Sequence, residues 1–153
     1  MIIIVEKELR RLSVLQEKSP EPVRSFPVSL GFSPVGKKTA EGDGKTPEGI
    51  YHIAVKNPRS KYYLSLGLDY PNYEDAIAAF RNGKIGINEY REILDAHKNG
   101  SLPPQKTALG SEIYIHGGGC GGDWTKGCIA LSNPDMLRLF ELMPIGTQVT
   151  IVP

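Results

Sequence analysis

The first third of the chain alternates between apolar and polar positions, which is typical of half-buried β-strands. The clearest case runs from Phe26 to Phe32, where every second residue is large and apolar. Charged residues at positions 6–8 separate two shorter apolar stretches and favour a hairpin turn between them. The pattern predicts strands at residues 2–5, 11–15, 26–32, 51–55 and 62–66.

The middle of the chain changes to a helical period. Between Tyr73 and Phe80 the apolar residues recur at helical spacing, with Asn72 as the N-cap and Asn82-Gly83 as the stop. A second amphipathic segment follows from Ile87 to His97. The pattern therefore predicts a helical hairpin at about residues 73–99, inserted into a β-rich chain. We expect it to lie near the mouth of a site and to be separable from the core.

The last third returns to β-structure and contains one more helix. A strand is predicted at residues 112–116, and a glycine-rich loop follows at residues 117–127. Ser132-Asn133-Pro134-Asp135 is a strong helix start, since it offers a capping side chain, a proline in the first turn and an acid near the positive end of the helix dipole. A closing strand is predicted at residues 148–152.

These elements predict a mainly β fold, with a sandwich-like or partly closed mixed sheet, the inserted helical hairpin and one helix after Cys128. The chain has 153 residues, which matches one ordinary domain, so we expect a single domain over residues 1–153. The 17 glycines and 12 prolines favour many short strands joined by turns over long helices.

Charge and hydropathy exclude several classes of protein. Lys plus Arg is 18 and Asp plus Glu is 17, so the net charge of +1 gives no electrostatic footprint for nucleic acid. No apolar run approaches the roughly 18 residues that a membrane helix needs. Met1 to Val5 is shorter than the apolar core of a signal peptide, so no export signal is expected in this sequence.

A histidine and a cysteine flank the glycine-rich loop, His116 at the end of a predicted strand and Cys128 twelve positions later. An imidazole beside a thiol takes its proton and produces a nucleophilic thiolate. The flexible Gly127-Cys128 peptide offers N–H groups that suit an oxyanion. This combination indicates acyl transfer through a thioester, and we expect His116 to lower the pKa of the thiol.

Two other interpretations of the same residues stay open at this point. In the first, Cys128 is a small buried apolar residue and His116 is a hydrogen-bonded residue at a strand end. Alternatively, His116, Cys120 and Cys128 supply three zinc ligands, with His52 or His97 as a fourth. Their spacing lacks the close couples of structural zinc sites, so this metal interpretation is disfavoured.

The segment around Cys128 resembles the catalytic motif of the L,D-transpeptidase (YkuD) family of bacterial peptidoglycan enzymes. That motif has a His, a Gly-rich stretch, Ser or Thr, a variable residue, Gly and the catalytic Cys. The matching positions are His116-Gly117 and Thr125-Lys126-Gly127-Cys128. Thr46-Pro47-Glu48-Gly49 resembles the turn that precedes a strand in this family. The resemblance runs from about residue 2 to residue 153.

The resemblance implies cysteine-dependent acyl transfer on peptidoglycan stem peptides, with no cofactor and no metal. Cys128 attacks the carbonyl of a diamino acid residue, and the resulting thioester is resolved by an amine or by water. His116 is the implied base, and the backbone carbonyl of Gly117 orients its imidazole. The amides of Gly127 and Cys128 are implied to form part of the oxyanion hole.

Three neighbouring residues are candidates for substrate binding. Thr125 belongs to the motif itself. Trp124 either walls the substrate groove or is a simple core tryptophan. Lys126 either contacts a carboxylate of the stem peptide or is a solvated loop lysine. Cys120, with glycines on both sides, is expected to be a mobile loop residue and not the nucleophile.

The chain departs from the common family pattern in ways that bear on the second substrate. It has Lys126 where the family commonly has His and Ala130 where it commonly has Arg, and the gap from His116 to Cys128 is short. These features resemble those of the family branch that includes an amidase, which releases lipoprotein from peptidoglycan. Both outcomes therefore stay open: transfer to an amine, or hydrolysis by an amidase or carboxypeptidase.

The resemblance also implies a place and a set of partners. We expect a monomer in the cell envelope or periplasm that acts on peptidoglycan stem peptides, without nucleic acid as a partner. The competing class is a non-catalytic module that binds the wall or zinc, and the presence of both His116 and Cys128 argues against it.

Overall fold

The computed structural model describes residues 1–153 and shows a mainly β protein, as predicted. The strands are β1 (Ile2–Glu6), β2 (Arg11–Leu15), β3 (Pro22–Pro27), β4 (Gly49–Ser60), β5 (Tyr63–Leu68), β6 (Tyr114–His116), β7 (Ile129–Ala130) and β8 (Gln148–Val152). The helices are α1 (Tyr73–Arg81), α2 (Ile87–Lys98) and α3 (Asn133–Leu142). The predicted helical hairpin and the helix after Cys128 are both present. None of the helices is long and apolar enough to cross a membrane.

The eight strands form one mixed sheet in the order β3-β2-β1-β8-β4-β5-β6-β7. β1 and β8 are parallel, and so are β6 and β7, while the other neighbours are antiparallel. The long strand β4 joins the two halves of the sheet, because its beginning pairs with β8 and its remainder with β5. A bridge from Ser29 to Ala130 of β7 links the segment after β3 to the opposite edge. The sheet is therefore partly closed.

The third strand differs from its predicted position at residues 26–32. It lies at Pro22–Pro27, and the residues after it leave the sheet and make only isolated bridges, from Ser29 to Ala130 and from Gly31 to Thr125. The alternation still marks burial, since the apolar residues from Phe26 to Leu30 are buried. The periodicity was correct for Phe26, Val28 and Leu30 and wrong for Phe32, which is 58% exposed, and the segment contacts the loop that carries Cys128 instead of extending β3.

The turn between β1 and β2 contains a buried lysine. Lys7 is only 3% exposed, and its ammonium group donates to the carbonyls of Gly36 at 2.8 Å and Thr46 at 2.9 Å. It also pairs with Glu48 at 3.4 Å. Burial lowers the pKa of Lys7, and the charge of Glu48 opposes that shift. This residue ties the first hairpin to the loop between β3 and β4.

The helical hairpin is anchored in the core and is not a separable insertion. Asn72 and Asp75 form a capping box at the start of α1, with two hydrogen bonds of 2.9 Å. The buried carboxylate of Asp75 also accepts a hydrogen bond from the Tyr51 hydroxyl at 2.7 Å. Ile93 of α2 is fully buried within the main hydrophobic core. The expectation of a detachable hairpin is therefore wrong, because the hairpin contributes to the core itself.

Replacing Ile93 with alanine is expected to lower the free energy of unfolding by about 2–5 kcal/mol, because it leaves a cavity in the core. Urea denaturation measures this change. The matched control is Ile87→Ala at the start of the same helix, where the side chain is exposed and the expected change is less than about 1 kcal/mol. Equally small changes in the free energy of unfolding for both variants would contradict the contribution of the hairpin to the core.

The helix α3 fixes the chain just after Cys128. The Ser132 hydroxyl caps its first turn by accepting from the Asp135 amide at 3.3 Å. Met136 and Leu139 are fully buried and hold the helix on the sheet. Because β7 leads directly into this helix, the residues that flank Cys128 on its C-terminal side have a well-defined position.

Candidate active site

The parallel pairing of β6 and β7 brings the two predicted catalytic residues to one place. Ile115 pairs with Ile129, and His116 pairs with Ala130. Cys128 immediately precedes β7, and its sulfur accepts a hydrogen bond from the Tyr114 amide at 3.4 Å. The register thus sets Cys128 level with Tyr114 of the neighbouring strand, two residues from His116.

The thiol of Cys128 is protonated in this state of the protein. It donates to the carbonyl of Glu112 at 3.2 Å and makes no hydrogen bond to His116. Burial raises the pKa of the Cys128 thiol from its ordinary value of 9.0 to about 11, although the Tyr114 amide acts in the opposite direction. The sequence predicts that His116 lowers this pKa, and desolvation acts in the opposite direction.

His116 has the tautomer that suits a base. Its Nδ1 lies 2.5 Å from the carbonyl oxygen of Gly117. A carbonyl only accepts, so Nδ1 carries the hydrogen and Nε2 keeps its lone pair. The residue is 2% exposed, and burial lowers its pKa, so the imidazole is neutral around pH 7. The contact with Gly117 that the family resemblance implied is present, while its catalytic role stays a prediction.

Two aromatic side chains hold the imidazole ring. Tyr62 stacks on His116 with ring centroids 4.6 Å apart, and Trp124 meets the same ring edge-on at 5.6 Å. Trp124 is 41% exposed, so it is not a core tryptophan, and its role as a wall of the substrate groove stays a prediction. Sequence reasoning missed Tyr62, whose only signal is its position in the Lys61-Tyr62-Tyr63 turn before β5.

Thr125 shapes the turn before the nucleophile. Its hydroxyl donates to the Cys128 carbonyl at 2.7 Å and accepts from the Gly127 amide at 3.2 Å. Gly127 has a φ of +143°, and a Cβ at this position would lie 2.8 Å from the Lys45 carbonyl oxygen, so the turn requires glycine. Thr125 is buried and thus acts on the loop, with no surface to offer a substrate.

The two amides expected for the oxyanion hole differ in availability. The Gly127 amide is already bonded to Thr125, whereas the Cys128 amide has no hydrogen-bond partner in the protein. The Cys128 N–H is therefore the available donor beside the sulfur.

Lys126 is exposed, and it makes neither a hydrogen bond nor an ion pair. Ala130 is fully buried, so this position cannot contact a second substrate.

An ion pair that sequence reasoning missed anchors the glycine-rich loop. The guanidinium of Arg10 binds Asp123 through two nitrogens, at 3.1 and 2.8 Å. The same carboxylate accepts from the Leu30 amide at 3.0 Å. Partial burial opposes ionisation, but these donors hold the pKa of Asp123 below its ordinary value. Asp123 is the one acidic residue in the loop, which is the signal that could have found it.

A groove of about 140 Å³ lies against the strands that carry the site. Its lining includes Asn57, Ser65, Leu102, Gln105, Glu112 and Tyr114. Two of these, Glu112 and Tyr114, are the residues whose backbones hold the Cys128 sulfur. Glu112 has an unusual φ of +56°, held by a 2.9 Å hydrogen bond from its amide to the Gln105 side chain. The groove therefore borders the two residues that contact the Cys128 sulfur, while Cys128 and His116 themselves are not part of its lining.

The structure brings no zinc ligands together. No three His, Cys, Asp or Glu side chains have an arrangement that could hold a metal ion. His52 and His97 face Asp69 instead, with His52 Nδ1 at 3.1 Å and His97 Nδ1 at 3.9 Å from its carboxylate. Cys120 is a partly buried free thiol. The zinc interpretation thus has no ligand set in this fold.

The fold and this arrangement of side chains agree with a comparison of the sequence with known families. Residues 1–151 match the profile of the YkuD L,D-transpeptidase catalytic domain. The chain therefore belongs to the L,D-transpeptidase (YkuD) family of enzymes. A comparison with curated proteins finds no match.

Solved structures of low sequence identity share the fold. The helical cell shape determining protein Pgp2 from Campylobacter jejuni superimposes with a TM-score of 0.66 at 23% identity, over 98% of this chain and 46% of Pgp2. Bd1075 from Bdellovibrio bacteriovorus gives 0.60 at 23% identity, over 99% and 47%. An L,D-transpeptidase from Xylanimonas cellulosilytica gives 0.56 at 15% identity, over 99% and 59%. The chain spans about half the length of the first two proteins.

Proposed function

We propose that this protein is a cysteine-dependent acyltransferase that acts on peptidoglycan stem peptides through a thioester on Cys128. One observation supports the proposal: β6 and β7 are paired, so His116 and Cys128, with its unpaired amide, belong to adjacent segments beside the groove that Glu112 and Tyr114 line. Family membership supports the same substrate class. Because peptidoglycan lies in the cell envelope, this function places the protein there.

The proposed reaction has two steps. In the first, Nε2 of His116 takes the proton from the Cys128 sulfur as the sulfur attacks the substrate carbonyl. The negative charge on the carbonyl oxygen is received by the Cys128 N–H. The C–N bond then breaks, the leaving amine takes the proton from His116, and a thioester remains. In the second step an amine or water gives a proton to His116, attacks the thioester and releases the thiol.

The raised thiol pKa suits a reaction that begins only after substrate binds. A thiol with a pKa of about 11 is almost fully protonated at neutral pH, so it is a poor target for adventitious electrophiles. To react, it must leave the Glu112 carbonyl and turn towards Nε2. We therefore place the proton transfer in the same event as the attack on the carbonyl.

The groove beside Cys128 is proposed to hold the side chain of the acyl donor. Val55 and Leu102 offer apolar surface for an alkyl chain, and Glu112 offers a carboxylate without an ion-pair partner. The groove has no lysine or arginine in its lining. This combination favours an alkyl chain that ends in an ammonium group, as in a diamino acid. Trp124 and Tyr62 are proposed to wall the opposite side of the site, beside His116.

Replacing Glu112 with glutamine is expected to raise KM about fivefold for a donor with a free side-chain amine, because one partly exposed charged contact contributes about 1 kcal/mol. We expect kcat to stay within a factor of about two. Steady-state kinetics with the amine-bearing donor and with its N-acetylated form separate the loss of the Glu112 charge contact from a general change in the site. The acetylated donor serves as the control, since it has no charge for Glu112 to bind; an equal loss with both donors would contradict the assignment.

Hydrolysis of the same bond is the second candidate function. The buried Ala130 occupies the position where the family commonly has an arginine, so no cationic group two residues after the nucleophile is available to a second substrate. Lys126 is the only nearby motif residue with a free cationic side chain. Water as the acceptor would make the protein an L,D-carboxypeptidase or an amidase with the same thioester chemistry.

Incubation of the purified protein with a disaccharide tetrapeptide, with and without an amine acceptor, tests both functions. Mass spectrometry of the products distinguishes them. A product that incorporates the acceptor supports transfer, and loss of the terminal residue without incorporation supports hydrolysis. An unchanged tetrapeptide, under conditions where an electrophile still labels Cys128, would contradict both and favour a non-catalytic wall-binding module.

A further inference from the structure

The peptide that joins Gly117 to Gly118 makes two side-chain hydrogen bonds, one at each end. The Gly117 carbonyl accepts from His116 Nδ1 at 2.5 Å. The Gly118 amide of the same peptide unit donates to Oδ1 of Asn133 at 2.8 Å. A peptide unit is planar and rigid, so its C=O and N–H turn together. Whatever holds the Gly118 N–H in place therefore also holds the carbonyl that orients His116.

We propose that Asn133 is a positioning residue for His116 and acts through the Gly117-Gly118 peptide. This inference rests on the proposed role of His116 as the base. Asn133 does not touch the imidazole. It fixes the direction of the Gly117 carbonyl, and that carbonyl selects the tautomer with the hydrogen on Nδ1 and the lone pair on Nε2.

The local sequence explains why this peptide needs an external partner. Gly117 and Gly118 have no side chains to restrict rotation of the peptide between them, and Gly118 has a φ of +105°. If the peptide turned over, the Gly118 N–H would face Nδ1 and the Gly117 carbonyl would face away. Nδ1 would then accept a hydrogen bond, the hydrogen would move to Nε2, and the lone pair needed to take the Cys128 proton would be lost.

The position of Asn133 separates this role from helix capping. Ser132 is the N-cap of α3, and its hydroxyl accepts from the Asp135 amide. The side-chain oxygen of Asn133, the next residue, accepts a hydrogen bond from the glycine-rich loop and not from an amide of its own helix. The fit is close, because a Cβ at Gly117 would lie 2.6 Å from that oxygen and 2.8 Å from the Tyr62 carbonyl. Asn133 thus links α3, whose position is set by the core, to the orientation of the base.

The test is a set of substitutions at Asn133, for which NMR measures the His116 tautomer and steady-state kinetics measures kcat and KM. In Asn133→Ala, the ¹⁵N chemical shifts of the His116 ring are expected to show loss of the pure Nδ1–H tautomer. We expect kcat to fall about 10–100-fold with KM changed less than about twofold, because general-base efficiency depends on the lone pair at Nε2. Asn133→Asp keeps an acceptor oxygen and is expected to restore the tautomer and most of kcat.

Two further variants control for simple loss of structure. Asn133→Leu removes the acceptor but keeps the volume, so it is expected to behave like Asn133→Ala. Ser132→Ala removes the cap and is expected to lower the urea midpoint without changing the His116 tautomer. An unchanged tautomer in both Asn133→Ala and Asn133→Leu would overturn the inference, and so would an Asn133→Asp variant that folds but restores neither tautomer nor kcat.

Failure of this inference is distinguishable from failure of the proposed function. If His116→Ala keeps full activity while Asn133→Ala still changes the tautomer, His116 is not the base but the positioning by Asn133 stands. If His116→Ala is inactive and the tautomer is the same with and without Asn133, the proposed function stands and the positioning role is wrong.

Discussion

Cys128→Ala is expected to abolish turnover and thioester formation while the protein stays folded. The sulfur makes only two weak hydrogen bonds, to the Glu112 carbonyl and from the Tyr114 amide, so its removal costs little stability. The segment after it is held by β7 and α3, which the substitution leaves intact. The loss is expected to be complete because Cys128 carries the thioester in the proposed reaction.

The matched control for this prediction is Cys120→Ala. Cys120 lies among glycines, and its sulfur makes no hydrogen bond in the protein, so this variant is expected to keep most of the activity. Labelling the wild-type protein with a carbapenem and mapping the modified peptide identifies the nucleophile directly. An adduct on Cys120 alone would overturn the assignment of Cys128.

His116→Ala is expected to lower kcat by a factor of about 10²–10⁴, the usual contribution of a positioned base. The same substitution should leave the intrinsic reactivity of the thiol unchanged. Burial and the charge of Glu112 raise the pKa of Cys128, and the Tyr114 amide and the charge of Lys38 lower it. Alkylation by a small neutral reagent should therefore become faster as the pH rises towards 11, in the wild type and in His116→Ala alike.

The pH profile of alkylation distinguishes this picture from a pre-formed thiolate–imidazolium pair. A pre-formed pair would give reactive thiolate at pH 6–7 in the wild type and lose it in His116→Ala. Alkylation reactions between pH 6 and 11 are quenched at successive times and analysed by mass spectrometry, which gives the pH profile for the wild type and for His116→Ala. The control is His52→Ala, whose ring pairs with Asp69 and not with the site. A wild-type midpoint below the ordinary thiol pKa, or a fully active His116→Ala, would contradict the prediction.

The local chemistry of the sequence determined several features without help from the tertiary structure. Asn72 and Ser132 marked the starts of α1 and α3, because a capping side chain satisfies amides only three residues away. The helical spacing from Tyr73 to Phe80 identified α1, since side chains three and four apart share one face. The motif around Cys128 and His116 pointed to the family, which the match over residues 1–151 shows.

Only the tertiary structure decided features that depend on residues distant in the chain. The segment after Pro27 leaves the sheet because its partners are Thr125 and Ala130, about a hundred positions away. Local periodicity carries no information about such a partner. The protonated thiol is likewise a property of its surroundings, since the desolvation that raises its pKa comes from strands that meet only in the fold.

The positioning of the site depends on the same kind of contact. Arg10 reaches Asp123 across 113 positions, and Tyr62 stacks on His116 across 54. Asn133 looked like part of a helix start, and only the fold showed its oxygen bonded to Gly118. The sequence by itself thus determined the family and the residues proposed to carry the chemistry. The fold decided the burial, the hydrogen-bond partners and the orientation of these residues, because such contacts are assembled only when distant segments meet.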